Sequence, residues 1–513
     1  MTNLDWTIAA ALTSVLVVAV ILSRKFTKDV ASFIVGGRKT RMWLALSNDN
    51  SGGFGLIAVA YAAQEGFRHG FSIIWIYMIG ALLVIFLFGI FGFGIQRFRA
   101  TRAMTAGQFH EQRYSRGLRL LVGIALGLGG VLNMAAFPIV GAQFLCAFLG
   151  WPAQFDFMGV TLPTIPVLCA CMIALAVFFA VVCGQVGVII TDYIQGLVIM
   201  AGLFAVNYIL FANLGVANIK TTLETQMGNG AFNPFIRGSY GLLWASWLLF
   251  TQITGPFCSG PQITKYASAD NPKVVRRMML VSKTFNQGKA LVKLSLGVGA
   301  FVALGTQAIP KGMEPSFYER IVTPTYLNSV VPPIMMGLLF SAFIFAFIST
   351  NDSYLLSWSS IIVNDVVCLI HKKALSTKRH LWTLRVTIIC IGLFLFFWGV
   401  LFTPPTTILN YLMLTGTMLT GAAVAMLAGL YWRRANTTGA YAAVLTTMIL
   451  PPLDLVFRNI SPHFYHLKVP AQVAGIGTIC LSVILLTIFS LASSKPTKWV
   501  DYGEVVRKSE SND

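Results

Sequence analysis

Charge is scarce in this sequence. Only 11% of its 513 residues are Asp, Glu, Lys or Arg, against about 25% in an ordinary soluble domain. So few charged groups cannot cover a folded soluble chain of this length. A soluble enzyme, a nucleic-acid-binding domain and a disordered protein are excluded on composition alone. Acid is scarcest: 18 Asp and Glu face 37 Lys and Arg, a net charge of +19. The basic residues do not gather into one patch. They fall in short loops between apolar runs, a topological pattern and not a nucleic-acid surface. Long polar stretches are missing too, so no appended soluble domain is expected. The eight cysteines lie within or beside apolar stretches, with no Cys or His spacing that completes a metal set. They read as small buried apolar residues. No HExxH, GxSxG or P-loop pattern occurs, which leaves an intramembrane enzyme without a catalytic constellation.

Apolar residues are abundant, at 56%, and a membrane-spanning helix needs roughly 20 of them in a row. Thirteen runs can be drawn, at 6–23, 42–63, 71–96, 118–149, 161–183, 187–213, 239–262, 286–308, 329–366, 382–402, 407–431, 438–456 and 470–493. The expectation is an all-α integral membrane protein of about 13 transmembrane helices. The first run has no basic flank and no small-residue cleavage site, so it reads as a retained helix. With the N-terminus outside and the C-terminus cytoplasmic, 28 Lys and Arg fall in inside loops and seven in outside loops. That bias is the positive-inside signature and supports an odd number of spans. Residues 495–513 read as a short, polar, flexible cytoplasmic tail.

Polar groups inside spans are costly and usually functional. The second run contains Ser47-Asn48-Asp49-Asn50-Ser51-Gly52-Gly53. An unwound stretch lining a cavity would free carbonyls to hold a cation; a loop between two short segments is the alternative. The sixth run holds Asp192, as a site carboxylate or as an interfacial cap. The ninth holds Ser349-Thr350-Asn351-Asp352-Ser353. Ser349, Asp352 and Ser353 share a helical face, and an all-oxygen set suits a hard cation such as Na+. Back-bonding of the hydroxyls to their own helix is the alternative. Lys293 lies about two turns inside its run, where it either snorkels to water or lines the cavity.

These residues resemble the sodium:solute symporter family over roughly 29–440. Asp29 to Arg38 (DVASFIVGGR) is similar to the family's entry motif. Arg113-Tyr114-Ser115-Arg116 is similar to its cytoplasmic RYG-R element. Gly184 to Gly196 (GQVGVIITDYIQG), Gly337 to Ser353 and Leu427 to Ala440 (LAGLYWRRANTTGA) resemble three further motifs in the right order. The resemblance implies a five-plus-five inverted-repeat, leucine-transporter-like core. It would comprise a first repeat at 42–213 and a second at 239–431. Residues 1–41 would form a leading helix and cytoplasmic linker, and 432–494 two additional helices. The second break is expected within Thr251 to Pro256.

The resemblance also implies a principal Na+ site of Ser349, Thr350 and the Ala346 carbonyl. Carbonyls of the first broken helix complete it: Ser47 and Asn50 in one alignment, Leu46 and Asp49 in the other. A second Na+ site would take Asp192, Ser349, Asp352 and Ser353. Solute ligands would come from Asn48, Gly53, Thr251, Gln252 and Lys293. Leu412 stands where the sugar-transporting branch has a glutamine. The expected activity is Na+-coupled import of a small polar organic solute by alternating access, in a bacterial inner membrane, as a monomer or weak homo-oligomer. No organic cofactor and no nucleic acid is expected. A proton-coupled or exchanging transporter of the same fold, or a non-transporting channel or sensor, are the alternatives.

Overall fold

The computed structural model describes residues 1–23, 29–38, 40–51, 54–235, 241–305, 313–371, 375–402, 408–460, 470–493 and 499–511. Among these, nine helices are long and apolar enough to cross a membrane. A tenth span is the bent pair Ile408–Thr417 and Thr420–Tyr431, which meet at 46°. The other three expected spans are helical but interrupted or less apolar. They are Met42–Ser51 with Leu56–His69, Gly241–Cys258 with Gly260–Ser268, and Thr437–Ile460, which contains Pro451 and Pro452. Large apolar side chains such as Leu242, Trp382 and Leu401 stand exposed around the perimeter. Lipid, not water, is the solvent that makes such a surface stable.

Several edges differ from the sequence expectation. Asn271 caps a helix that runs from Pro272 to Leu304, its side chain accepting from Val274 N at 3.0 Å. The span at 286–308 therefore begins a full four turns earlier, and Lys283 and Lys289 sit inside a helix. The long run at 329–366 is divided. Residues before Val331 belong to a separate helix, Pro315–Val330, and the span itself starts at Met335. The all-α expectation misses one hairpin, Gln154–Phe157 against Val160–Pro163. Its two-residue turn, Met158-Gly159, has positive φ at both positions, the twist that joins antiparallel strands tightly. The tail expected to be flexible contains a helix, Tyr502–Ser511, that buries Val506. Cys171 and Cys390, expected to be buried, are exposed.

Three contacts position the core. Asp5 caps a second helix besides its own: its Oδ1 accepts from Ile334 N at 2.8 Å and Gly337 N at 2.9 Å, holding the start of Met335–Ile362. Leu56–His69 and Pro272–Leu304 touch backbone to backbone. A Cβ at Gly297 would overlap the Ala63 carbonyl, and one at Gly66 would overlap that of Leu294. This close approach draws Lys289 and Lys293 to the broken helix. On the predicted inner side, Arg113 donates to the carbonyls of Gly429, Trp432, Arg433 and Ala435 at 2.9–3.3 Å. Gly429 and Trp432 are at the C-terminal end of Thr420–Tyr431, where carbonyls lack helical partners, and Arg433 and Ala435 follow it in the turn. Two of the five sequence motifs thus meet in one cap, and their role there is architectural.

Candidate cation sites and solute cavity

The first broken helix stops at Ser51 and resumes at Leu56, with Gly55 in an extended conformation between. The missing side chain of Gly55 allows the break to lie on Thr350, because any Cβ there would overlap the Thr350 hydroxyl. That hydroxyl is buried and has no hydrogen-bond partner among the described residues. A buried hydroxyl left so costs on the order of 1–3 kcal/mol, so an oxygen-seeking ligand at this spot would be stabilised. Ala346 and Ser349, one turn and one residue before Thr350, are buried on the same helix.

Ser349 turns the other way. Its Oγ donates to Asp192 Oδ1 at 2.6 Å, across to the helix Gly184–Leu214, which follows Thr164–Val182 after a kink at Gly184. Asp192 and Asp352 are both inaccessible and repel one another electrostatically. Asp352 Oδ1 accepts from Ser353 N at 2.6 Å, while its Oδ2 has no hydrogen-bond partner among the described residues. Two carboxylates and the Ser349 hydroxyl make an all-oxygen set of the kind suited to a hard cation. Gln195, one turn beyond Asp192, is fully buried with both amide atoms unpartnered among the described residues. It was not singled out as a ligand, though an amide in an apolar run is itself a signal.

The central cavity, about 410 Å³, is bordered by Thr350, Gly55, Thr251, Gln252 and Lys293. A second cavity of about 300 Å³ shares Gln252 and Lys293 and extends toward Lys283. The structure therefore brings together Thr251, Gln252, Lys293 and Thr350. The Thr251 hydroxyl already donates to Leu248 O at 2.8 Å, which leaves its lone pairs as the available function. Leu412 does border the cavity. The sequence reading missed Asn133, whose amide donates to Leu412 O at 3.0 Å and Thr415 Oγ1 at 2.8 Å. Its signal was an amide amid the apolar run at 118–149. Trp358 and Tyr354 also line the wall and were missed because aromatics in a span read as core.

Gly53, and the side chains of Ser47, Asn48 and Asn50, lie outside the described residues. Leu46 is a buried apolar residue of the core. The Asp49 side chain sits in a basic cluster. Its Oδ1 accepts from Gln262 Nε2 at 3.1 Å and lies 3.7 Å from Lys265. Its Oδ2 accepts from Ser282 and lies 3.6 Å from Lys283. Only its backbone carbonyl is in question for a cation. The second helix break is later than expected: Thr251 to Pro256 are helical, and the interruption falls at Ser259. Pro256 forgoes one helical hydrogen bond and its ring crowds the Gln252 carbonyl, and the helix ends two residues later, at Cys258.

The sodium:solute symporter family model matches residues 33–447. The chain belongs to that family. The sodium/pantothenate symporter of Haemophilus influenzae is 24% identical over 74% of each chain. The sodium/sialic acid symporter SiaT of Proteus mirabilis is 23% identical over 79% of this chain and 81% of its own. The high-affinity proline transporter PutP of Bacillus subtilis is 23% identical over 77% and 79%. These relatives are transporters, not enzymes. A solved Na+-coupled sialic acid symporter has a TM-score of 0.80 at 20% identity, covering 97% of this chain and 100% of that one. MhsT with L-phenylalanine scores 0.54 at 12% identity, covering 88% and 98%. The fold of this integral membrane symporter is therefore leucine-transporter-like, and its family couples transport of a small organic solute to sodium.

Proposed function

We propose that this symporter imports a small polar organic solute on an inward Na+ gradient by alternating access, in a bacterial inner membrane. The N-terminus lies outside and the C-terminus in the cytoplasm, as a monomer or weak homo-oligomer. The observation that carries the reading is the Thr350 hydroxyl, buried and unpartnered among the described residues, facing the break at Gly55 on the wall of the central cavity. An ion there touches both repeats, 42–213 and 239–431, so its arrival favours the conformation that brings them together. Ser349, Thr350 and the Ala346 carbonyl hold the principal Na+. Backbone carbonyls from Leu46 and Asp49, or from Ser47 and Asn50, complete its shell. Asp192, Ser349, Asp352 and Ser353 hold a second cation. Asn48, Gly53, Thr251, Gln252 and Lys293 face the solute. The relatives' different solutes, pantothenate, sialic acid and proline, support a shared engine with a variable pocket. Each charge entering across 100 mV supplies about 2.3 kcal/mol, enough for roughly 50-fold accumulation.

The test is uptake into proteoliposomes with Na+ replaced by choline at fixed pH. Uptake should fall to that of protein-free vesicles. The carboxylate pair Asp192 and Asp352 favours one second reading, in which a proton takes the place of the second Na+, since two like charges in a dry pocket need a cation between them. Uptake that persists in choline and follows a pH gradient would establish that reading. Solute-independent Na+ currents would instead indicate a channel.

A further inference from the structure

A third cavity, a groove of about 900 Å³, lies between the helices Arg116–Met134, Thr377–Leu401 and Thr437–Ile460. Its lining is apolar, and no charged side chain borders it among the described residues. Leu128, Cys390, Phe394 and Val456 line it and are also exposed, so it opens sideways toward lipid. From Thr387 to Phe402 it follows one helix over about 22 Å. One leaflet of a bilayer contributes about 15 Å of hydrocarbon, so the groove is long enough for a whole lipid tail. The end where Arg116–Met134 and Thr377–Leu401 begin is basic. Arg116 stands about two turns before Gly123, and Arg379 about three turns before Cys390, each in line with that groove residue along its helix. Both arginines are exposed. Neither is ion-paired among the described residues; Arg116 donates to Leu369 O at 3.1 Å. The acids at that end, Glu111 and Asp365, are both bound by Arg119. A tail gains little by leaving the bilayer for the groove, since lipid hydrocarbon is as apolar as the lining. The headgroup therefore decides which lipid stays, and two arginines favour an anionic one.

We propose that an anionic phospholipid binds here, with one acyl tail in the groove and its phosphate at Arg116 and Arg379. The orientation given under the proposed function places it in the cytoplasmic leaflet, and nothing else in the inference depends on that reading. The occupant lies against a wall of the solute cavity. Tyr411 and Met418 of the bent helix pair border the groove, while Leu412 and Leu419, the residues next to them, border the central cavity.

The full-length protein is reconstituted in phosphatidylcholine vesicles with a trace of phosphatidylglycerol that carries a photoreactive diazirine in its tail, and the cross-linked residues are mapped by mass spectrometry. Adducts are expected on Leu128, Cys390 and Phe394. Excess unlabelled phosphatidylglycerol should reduce them about tenfold or more, and excess phosphatidylcholine should not. Arg116→Gln with Arg379→Gln should reduce the groove adducts by a similar factor while those on the perimeter at Leu242 remain. A phosphatidylcholine probe that labels the groove equally well would overturn the proposal and show a face wetted by bulk lipid. So would groove adducts that excess phosphatidylglycerol leaves unchanged, groove labelling unaltered in the folded double variant, or no groove adducts in protein labelled at Leu242. The competition between the two lipids on wild type decides the matter even if the double variant does not fold. None of these outcomes touches Na+-coupled uptake, which is tested separately.

Discussion

Two buried charged regions lie within the helix bundle, and they are opposite in sign. On the seam between Gly184–Leu214 and Met335–Ile362, Asp192 and Asp352 place two carboxylates beside Ser349. On Pro272–Leu304, Lys283 and Lys289 are drawn to Asp49, and Lys293 stands one turn further along beside the Phe54 ring. The acidic pair is held by hydrogen bonds from Ser349 and the Ser353 amide, whereas Lys265 and Lys283 share one carboxylate, Asp49. The difference teaches that one helix bundle can bury charge of either sign, an oxygen-only set of the kind a hard cation takes on one side and a lysine-carboxylate cluster on the other.

Asp49 offers the strongest way to break this comparison, because it is a carboxylate on the basic side. Asp49→Asn removes the charge shared by Lys265 and Lys283, and breaking a buried pair costs about 3–5 kcal/mol. A clear drop in Tm is expected, with the Na+ concentration for half-maximal uptake within about twofold of wild type. A large change in Na+ dependence in folded protein would move the Asp49 side chain into the cation site. On the acidic side, Ser349→Ala with Thr350→Ala should raise the half-saturating Na+ concentration tenfold or more, about 1.4 kcal/mol. Unchanged Na+ dependence in folded protein would remove those hydroxyls from the principal site.

Asp192→Asn separates the two cations. It should lower the Hill coefficient for Na+ toward one while leaving solute affinity intact; a wild-type coefficient of one would make Asp192 structural. The smallest effect belongs to the rim. Arg68 and Glu319 meet at 3.3 Å, with side chains 33% and 20% exposed. Arg68→Gln should change stability by less than about 1 kcal/mol, seen as a small Tm shift with Na+ dependence unchanged. A large loss of uptake there would extend the charged machinery beyond the two buried walls.

Much of the site could be read in the sequence because a polar residue in an apolar run is conspicuous. Ser349, Thr350, Asp352, Asp192 and Lys293 all stood out that way. Lys289 lies inside the run at 286–308 but near its start, beside Asn286 and Gln287, where a lysine that reaches for water is ordinary. Asn133 did not stand out, because a single amide in a long helix has many bland explanations. Asp49 stands out as well, with its carbonyl expected at the cation; the ion pairs of its side chain are a separate matter. Its neighbours Lys265, Ser282 and Lys283 are more than 200 residues away in the chain, and no local pattern reveals them.

The sequence by itself determined that this is a helical membrane protein and which of its polar residues lie at membrane depth. Lipid offers backbone groups no partner, so apolar length forces helices, and buried polar groups are then few enough to name. Only the tertiary structure decided which of them face one another. Glycines at 66 and 297 let two helices touch and bring the lysines to the break, and Gly55 lets that break reach Thr350. Such contacts depend on the fit of surfaces distant in sequence, and helical periodicity carries the face a residue occupies but not the neighbour it meets.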